Sequence, residues 1–423
     1  MGCNQFSRRP GPNIMLLILV FCTALGPLSI DLFVPSLPTI STVFTTDAAT
    51  AQWTISVFML GFAVSMLIVG PLSDRYGRKK TLIAGYLVYL AATAVILVTD
   101  NIWFLIASRF FQAVFGCFGT ALSRTIVRDL YDGKQEIKMI ALIGGCMAIA
   151  PAIAPIIGGT VAELFSWQAN FVLMLIIGTI LMAIIILFVP ETQPSQTASH
   201  SHSNPLKGFT TVLADRHYCF YTLIAAIAFA GVFVFIAAAP FVFIDHFGFS
   251  TQQFSYCIAI MISGYVISSI FASRVTEHLG IQRTIHITFA IMAAGASLAI
   301  ITGFAFITEK LTSSQSITGY IAGMFLYELG IGIFIPACQI TALRNIKQNI
   351  GTASGLIFFA EMALAAPISY LAGQLPHNST YPLSWVSAAA VLIIGIMFLF
   401  KNTFIANNYS SYTKTSEPTA TTV

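Results

Sequence analysis

The chain has 423 residues, of which 57% are hydrophobic and only 9% charged, whereas a soluble domain carries about a quarter charged residues. That composition makes it an integral membrane protein. The net charge of +4 does not signal nucleic-acid binding, because the cations gather in clusters that recur after every second apolar run and so report topology.

Segments able to cross about 30 Å of hydrocarbon need roughly 20 apolar residues each. Reading the chain in order, spans are expected at about 13–36, 50–70, 81–98, 102–123, 139–162, 169–189, 217–243, 252–272, 284–306, 316–341, 351–375 and 383–400. An even number of spans leaves both termini on one side, and the clusters at Arg75–Lys80, Arg124–Lys138, Lys207–Arg216, Arg274–Arg283 and Arg344–Lys347 place that side in the cytoplasm. Arg8 and Arg9 precede the first span, but no small-residue cleavage site ends it, so it is read as a retained helix rather than a signal peptide. Met1-Gly2-Cys3 hints at lipidation, although Phe6 stands where myristoylation wants Ser or Thr.

Asp31 lies near the end of the first span, in Gly26-Pro27-Leu28-Ser29-Ile30-Asp31. An ionisable residue inside the bilayer marks an ion or proton pathway by default. Arg109, in Ser108-Arg109-Phe110-Phe111-Gln112-Ala113 of the fourth span, is expected about 12 Å from the same face, and Asp31 about 10 Å from it. Two readings stand open: the acid and the base form a pair, or Asp31 merely faces headgroups at a helix end.

Between the second and third spans runs Gly70-Pro71-Leu72-Ser73-Asp74-Arg75-Tyr76-Gly77-Arg78-Lys79-Lys80. A turn this short makes its two helices antiparallel neighbours. A plain basic loop would account for the cations but not for Gly70, Gly77 or Asp74. The pattern resembles the loop signature of the major facilitator superfamily, G-x-L-a-D-R-x-G-R-K, with Gly70, Asp74, Arg75, Gly77 and Arg78 at its defining positions. The resemblance implies an all-α fold of twelve transmembrane helices in two pseudo-symmetric six-helix bundles, and makes this loop a conformational switch.

The Arg109 segment is similar to that superfamily's helix-4 motif R-x-x-Q-G, with Ala113 in place of the glycine, which implies proton coupling through Arg109 and Gln112 together with Asp31. Ser123-Arg124-Thr125-Ile126-Val127-Arg128-Asp129 resembles a stretch of the bicyclomycin-resistance (Bcr/CflA) drug:proton antiporter branch. Basic residues at a cytoplasmic helix end also need no further reason. The fifth span carries Ala150-Pro151-Ala152-Ile153-Ala154-Pro155-Ile156-Ile157-Gly158-Gly159. Pro151 and Pro155 remove two backbone bonds, while Gly158 and Gly159 let a neighbouring helix come close. This stretch resembles the superfamily's antiporter motif.

Glu191 to Arg216, rich in Ser, Thr, Pro and His, reads as a cytoplasmic linker. The expected division is 1–190 for the first bundle, 191–216 for the linker, 217–401 for the second bundle and 402–423 for a disordered tail. Glu277-His278-Leu279-Gly280-Ile281-Gln282-Arg283-Thr284 echoes Asp74 to Thr81 at the matching place in the second half. Glu328 and Glu361 fall near the bilayer midplane, where each is a substrate cation site or second proton site, or else is held neutral and bonded to a neighbour.

Seven cysteines, with no CxxC spacing, suggest neither disulfides nor a metal site. There is no Walker pattern for ATP and no cluster of acids, histidines or cysteines for an enzyme. The expectation is a proton-driven multidrug efflux carrier of a bacterial inner membrane, monomeric, without cofactor, exporting small, largely apolar compounds. The alternatives are a dedicated exporter of one metabolite, such as a siderophore, and a proton-coupled symporter.

Overall fold

The computed structural model describes residues 11–193, 205–346 and 349–406. The Met1-Gly2-Cys3 start, the middle of the expected linker and the tail beyond residue 406 lie outside the described residues. Twelve helices are long and apolar enough to cross a membrane. They are α1 (Pro12–Val43), α2 (Ala48–Tyr76), α3 (Arg78–Val98), α4 (Ile102–Leu130), α5 (Gly133–Leu164), α6 (Trp167–Phe188), α7 (Arg216–His246), α8 (Thr251–Leu279), α9 (Ile281–Ile307), α10 (Ser313–Leu343), α11 (Ile350–Gly373) and α12 (Tyr381–Leu399).

Several helices outrun the lengths expected from apolarity, because helical hydrogen bonding continues past the hydrocarbon wherever the residues favour it. Lys134 to Lys138 belong to α5, and Arg124 to Leu130 belong to α4 after a joint at Cys117. The extension of α1 to Val43 matters most. Its first segment ends at Asp31, a 3-10 turn covers Val34–Ser36, and Leu37–Val43 continues as helix. Pro35 and Pro38 sit in the first turns of these pieces, where a missing N–H costs nothing. Asp31 therefore lies about 18 Å from the end of its span, at an internal break rather than near a terminus. The last six residues of α7, Phe241–His246, widen into a π-helix.

Two short helices stand in the connecting segments. Pro205–Leu213 is a helix that buries Val212 and packs Phe209 on the core, with Gly208 against Asn349 and Thr352 at the start of α11. The tail, expected to be disordered from Asn402, opens as the short helix Lys401–Ala406, where Phe404 stacks on Phe220 of α7 at 5.9 Å. In both places an apolar side chain finds a core that the polar composition did not advertise.

The repeat is legible in the packing. In the first bundle α1 packs on α4 and α5, α2 on α4, and α3 on α4 and α6; adding six to each number gives the pairs of the second bundle. The echo between Asp74–Thr81 and Glu277–Thr284 is structural as well. Gly77 (φ 98°) and Gly280 (φ 75°) are each the single residue joining two helices, in a region that side chains rarely adopt. Each takes the same two bonds, Gly77 N to Ser73 O and Thr81 N to Gly77 O, matched by Gly280 N to Thr276 O and Thr284 N to Gly280 O. Burial then sorts the helices. Apart from α5, whose most apolar 18 residues are only 22% buried although it forms the seam with α8, the contrast is clear: among those of α1, α4, α7 and α10, 72, 61, 82 and 67% are buried, against 28% in α6, α9 and α12. The former group lies inside the molecule and the latter faces lipid.

The bundles meet along α2–α11 and α5–α8. We use "basic face" for the side carrying the Gly70–Lys80 turn and "far face" for the opposite side. The far face is closed. Trp53 stacks on Tyr370 at 4.4 Å, Gln52 abuts Gly373, Glu163 Oε2 accepts from the Gln252 backbone N–H at 2.9 Å, and the broken end of α1 packs on α7 and α8.

Candidate functional site

Arg109 is fully buried in α4. Its Nη1 donates to Ser29 O of α1 at 2.9 Å and to Gln112 Oε1 at 2.6 Å, while its guanidinium lies over Phe58, Phe33 and Phe171 at 4.3, 4.7 and 5.8 Å. Cation–π attraction at a buried site offsets part of the cost of burying the charge. Gln112 is positioned in turn by Thr93 Oγ1, to which its Nε2 donates at 2.8 Å. Ser29 Oγ shares a hydrogen bond with Tyr89 OH at 2.9 Å. Residues from α1, α2, α3, α4 and α6 thus converge on one guanidinium.

Asp31 is buried, with 6% of its surface exposed, so it does not face headgroups. No ion pair within 4.0 Å joins it to Arg109 among the described residues. The arginine instead grips the carbonyl of Ser29, two residues earlier in α1, so α1 and α4 are coupled through backbone rather than through the acid. Sequence reasoning singled out Arg109 and Gln112, which the structure bonds to each other, and Asp31, which it buries without bonding to Arg109; it missed Ser29, Tyr89, Thr93 and the three phenylalanines. A serine, a threonine or one of 35 phenylalanines carries no such signal.

On the basic face, Arg78 bonds to Asp74, to Ser73 Oγ at 2.9 Å and to Asp129 of α4 at 3.3 Å. Glu191, expected to open a linker, accepts from the Arg78 backbone N–H at 2.7 Å at the start of α3, where the helix dipole favours an anion. It also lies so close to Gly77 that any side chain there would strike it. The loop residues Gly77, Asp74 and Arg78 therefore knit α2, α3 and α4 with the end of the first bundle. Arg75 stacks on Tyr76, and Gly70 has open space around it.

Pro151 and Pro155 lie inside an unbroken α5. The two glycines that follow them do different work. A Cβ on Gly158 would lie 2.1 Å from Leu32 O of α1, in the same bundle, and one on Gly159 would lie 2.1 Å from Ser255 Oγ of α8, in the other. Glu361 accepts from Gln339 Nε2 at 2.8 Å, and Glu328 is buried in α10.

With this geometry in place, residues 19–370 match the family model described as Major Facilitator Superfamily. The chain belongs to that superfamily. Among its relatives are a chloramphenicol resistance protein of Pseudomonas aeruginosa, 27% identical with 94% of this chain and 93% of that protein covered, and a bicyclomycin resistance protein homolog of Haemophilus influenzae, 25% identical with 92% and 96% covered. The multidrug resistance protein MdtM of Escherichia coli K12 is 24% identical with 88% and 91% covered. A crystal structure of a D-xylose-proton symporter superposes with a TM-score of 0.71 at 14% identity, over 90% of this chain and 97% of that one, which speaks for the fold alone. This facilitator is a multi-pass membrane protein with a transporter's architecture.

At its far face a cavity of about 370 Å³ is lined by Ala48, Phe241, Asp245, His246, His377 and Asn378, where both bundles meet. His377 packs on Phe241 at 5.3 Å, its Nε2 is buried without a partner, and burial lowers its pKa from 6.5. The closed form thus binds this proton less well than a form with His377 exposed. If opening of the far face exposes His377, the histidine favours closure in full above pH 6.5, and that preference is lost as the pH falls through 6.5 toward the depressed value. Labelling of a Gln52→Cys reporter from the far face is expected to speed up as that face is acidified, and His377→Gln should abolish the response. A pH response that persists in His377→Gln would overturn the assignment to this histidine.

Proposed function

We propose that this facilitator is a proton-coupled multidrug efflux transporter that exports small, largely apolar compounds by alternating access. It would sit in a bacterial inner membrane, with the basic face and both termini in the cytoplasm. The observation that carries the export reading is the match, over nearly the whole length of each protein, to relatives named for resistance to chloramphenicol, bicyclomycin and multiple drugs.

For the coupling, the buried Asp31 at the break in α1 is the proton carrier, and Arg109 with Gln112 is the device that senses where α1 stands. When the bundles rock, α1 moves against α4, the Arg109 bond to the Ser29 carbonyl is remade, and the acid two residues on changes its exposure. Proton uptake from outside and substrate uptake from inside then alternate at one carrier. The carrier works as a monomer on the proton gradient alone, with no cofactor. A proton crossing 100 mV supplies about 2.3 kcal/mol, enough to concentrate a substrate about fiftyfold at about 1.4 kcal/mol per decade.

The test is proton movement in everted vesicles carrying an imposed acid interior. Addition of chloramphenicol or another member of an antibiotic and dye panel is expected to release protons from the lumen. Proton movement of the opposite sign would indicate symport, and no movement with any compound would remove the reading.

A further inference from the structure

The two bundles treat the cations of the basic face differently. In the first, Arg78 is paired with Asp74 and Asp129, and Arg128 with Glu136. Glu191, three residues past the end of α6, adds an anion at the start of α3. In the second, the chain that follows α12 supplies a cation instead. Lys401 Nζ donates to Gln282 Oε1 of α9 at 3.2 Å and lies over the ring of Tyr221 of α7 at 5.4 Å. Among the described residues no carboxylate stands within 4.0 Å of Arg216, Arg283, Arg344 or Lys401.

Beside these residues opens a recess of about 530 Å³, lined by Arg216 and Cys219 of α7 and by Phe400, Thr403 and Phe404, where α12 gives way to the helix Lys401–Ala406. Phe220, fully buried, holds Phe404 at 5.9 Å and Phe398 at 6.3 Å, so the walls are fixed by stacked rings. Phe400 and Phe404 nevertheless keep 61 and 45% of their surface exposed, on the side where α12 faces lipid. Arg216 is the first residue of α7 and Lys401 lies just past the last of α12, which puts both cations at the level of the lipid headgroups. The His217 ring stacks on the same Tyr221 at 4.9 Å, and its Nδ1 is buried without a partner. The loop rule accounts for cations on this face, but not for an apolar recess formed beside them. A recess of this make-up suits a molecule with hydrocarbon at one end and negative charge at the other. A free phosphate leaves the rings unused, and a zwitterionic lipid brings an ammonium group that the two cations repel. Basic pockets between membrane helices on the cytoplasmic side take anionic headgroups.

We propose that this recess is a binding site for an anionic phospholipid, whose phosphate is taken by Arg216 and Lys401 and whose acyl chain runs over Phe400 and Phe404. The guanidinium fork matches two phosphate oxygens, and the ammonium adds a point charge beside it. A lipid bound there joins the start of α7 to the Lys401–Ala406 helix. The inference concerns the boundary of the second bundle with the membrane, and it stands whatever compound the carrier moves.

The experiment titrates the full chain, delipidated in detergent, with phosphatidylglycerol and with phosphatidylethanolamine of the same acyl chains, and counts bound lipids by native mass spectrometry. The first phosphatidylglycerol is expected to bind at least about tenfold more tightly than the first phosphatidylethanolamine. Arg216→Gln combined with Lys401→Gln should bring the two lipids within about twofold of each other. Its affinity for phosphatidylethanolamine should stay unchanged, which a misfolded protein would not show. Lys401→Arg keeps the charge and should keep the preference. Arg274→Gln removes a cation at the end of α8 that does not line the recess, and should leave the preference as it is. Equal affinity for the two lipids in the parent overturns the proposal, as does a preference that survives the double variant. A loss in Arg274→Gln as large as in the double variant would show the general charge of the face at work and overturn it too. Glycerol phosphate, a headgroup without chains, should fail to displace the lipid at equal concentration; full displacement would make this a phosphate site and not a lipid site.

Discussion

Replacing Asp31 by asparagine is expected to abolish substrate-induced proton release while leaving substrate binding within about twofold of the parent, a difference of only a few tenths of a kcal/mol. The side chain is buried at the break in α1, between the helix that ends at Asp31 and the 3-10 turn at Val34–Ser36. Asparagine has nearly the same shape and is neutral at every pH, so it imitates the protonated acid and cannot exchange its proton. Arg109 gives no reason to expect collapse, because its hydrogen bonds run to Ser29 O and Gln112 rather than to the acid. The variant should therefore fold, bind and let substrate equilibrate, but it should not concentrate substrate against its gradient, and its exchange should lose its dependence on pH. Everted vesicles loaded with a pH-sensitive dye report the first quantity, and counterflow of labelled substrate reports the second. Normal proton release from Asp31→Asn would move the coupling away from α1, leaving Glu328 and Glu361 as the buried carboxylates to examine.

How much of this the sequence announces depends on the kind of signal. Twelve spans and their connectivity are written in apolarity and charge, and the Gly77 and Gly280 joints are visible because a one-residue turn needs a residue that accepts positive φ. The buried arginine is legible because a cation in an apolar run is rare and expensive. Contacts between distant parts of the chain are not legible. Nothing in Ser29 marks its carbonyl as the partner of Arg109, and nothing in Glu191 marks it as the anion at the start of α3. Arg124 is the sharpest case. Seen in sequence it is one of several cations at the end of a helix, and only the docking of α4 beside α11 puts Phe358 beneath it and Glu361 within reach. The helical ends of the linker and tail were hidden for a similar reason. Phe209 and Ile405 lie in polar stretches, and their value comes from a core built elsewhere in the chain.

Gly159→Leu is expected to fold and to bind substrate, yet to transport at no more than about a tenth of the parent rate, because the carrier can no longer close its far face. The adjacent glycine separates this effect from a general packing defect. Gly158 meets Leu32 O inside its own bundle, a contact that rigid-body rocking of the bundles preserves in every state, so Gly158→Leu should lower the folded yield outright. A Cβ on Gly159 would lie 2.1 Å from Ser255 Oγ and 3.0 Å from Thr251 O across the interface, beside the Gln252 to Glu163 and Gln252 to Thr160 hydrogen bonds. That contact exists only while the far face is shut. A leucine there must push α8 away from α5, which penalises the closed form and leaves the open one untouched. The reporter is Gln52→Cys, fully buried between the bundles beside Gly373, probed with a membrane-impermeant maleimide from the far face. Labelling should rise about tenfold in Gly159→Leu, which corresponds to a shift of about 1.4 kcal/mol toward the open form. Unchanged labelling together with normal transport would show that the α5–α8 seam is not what closes the far face.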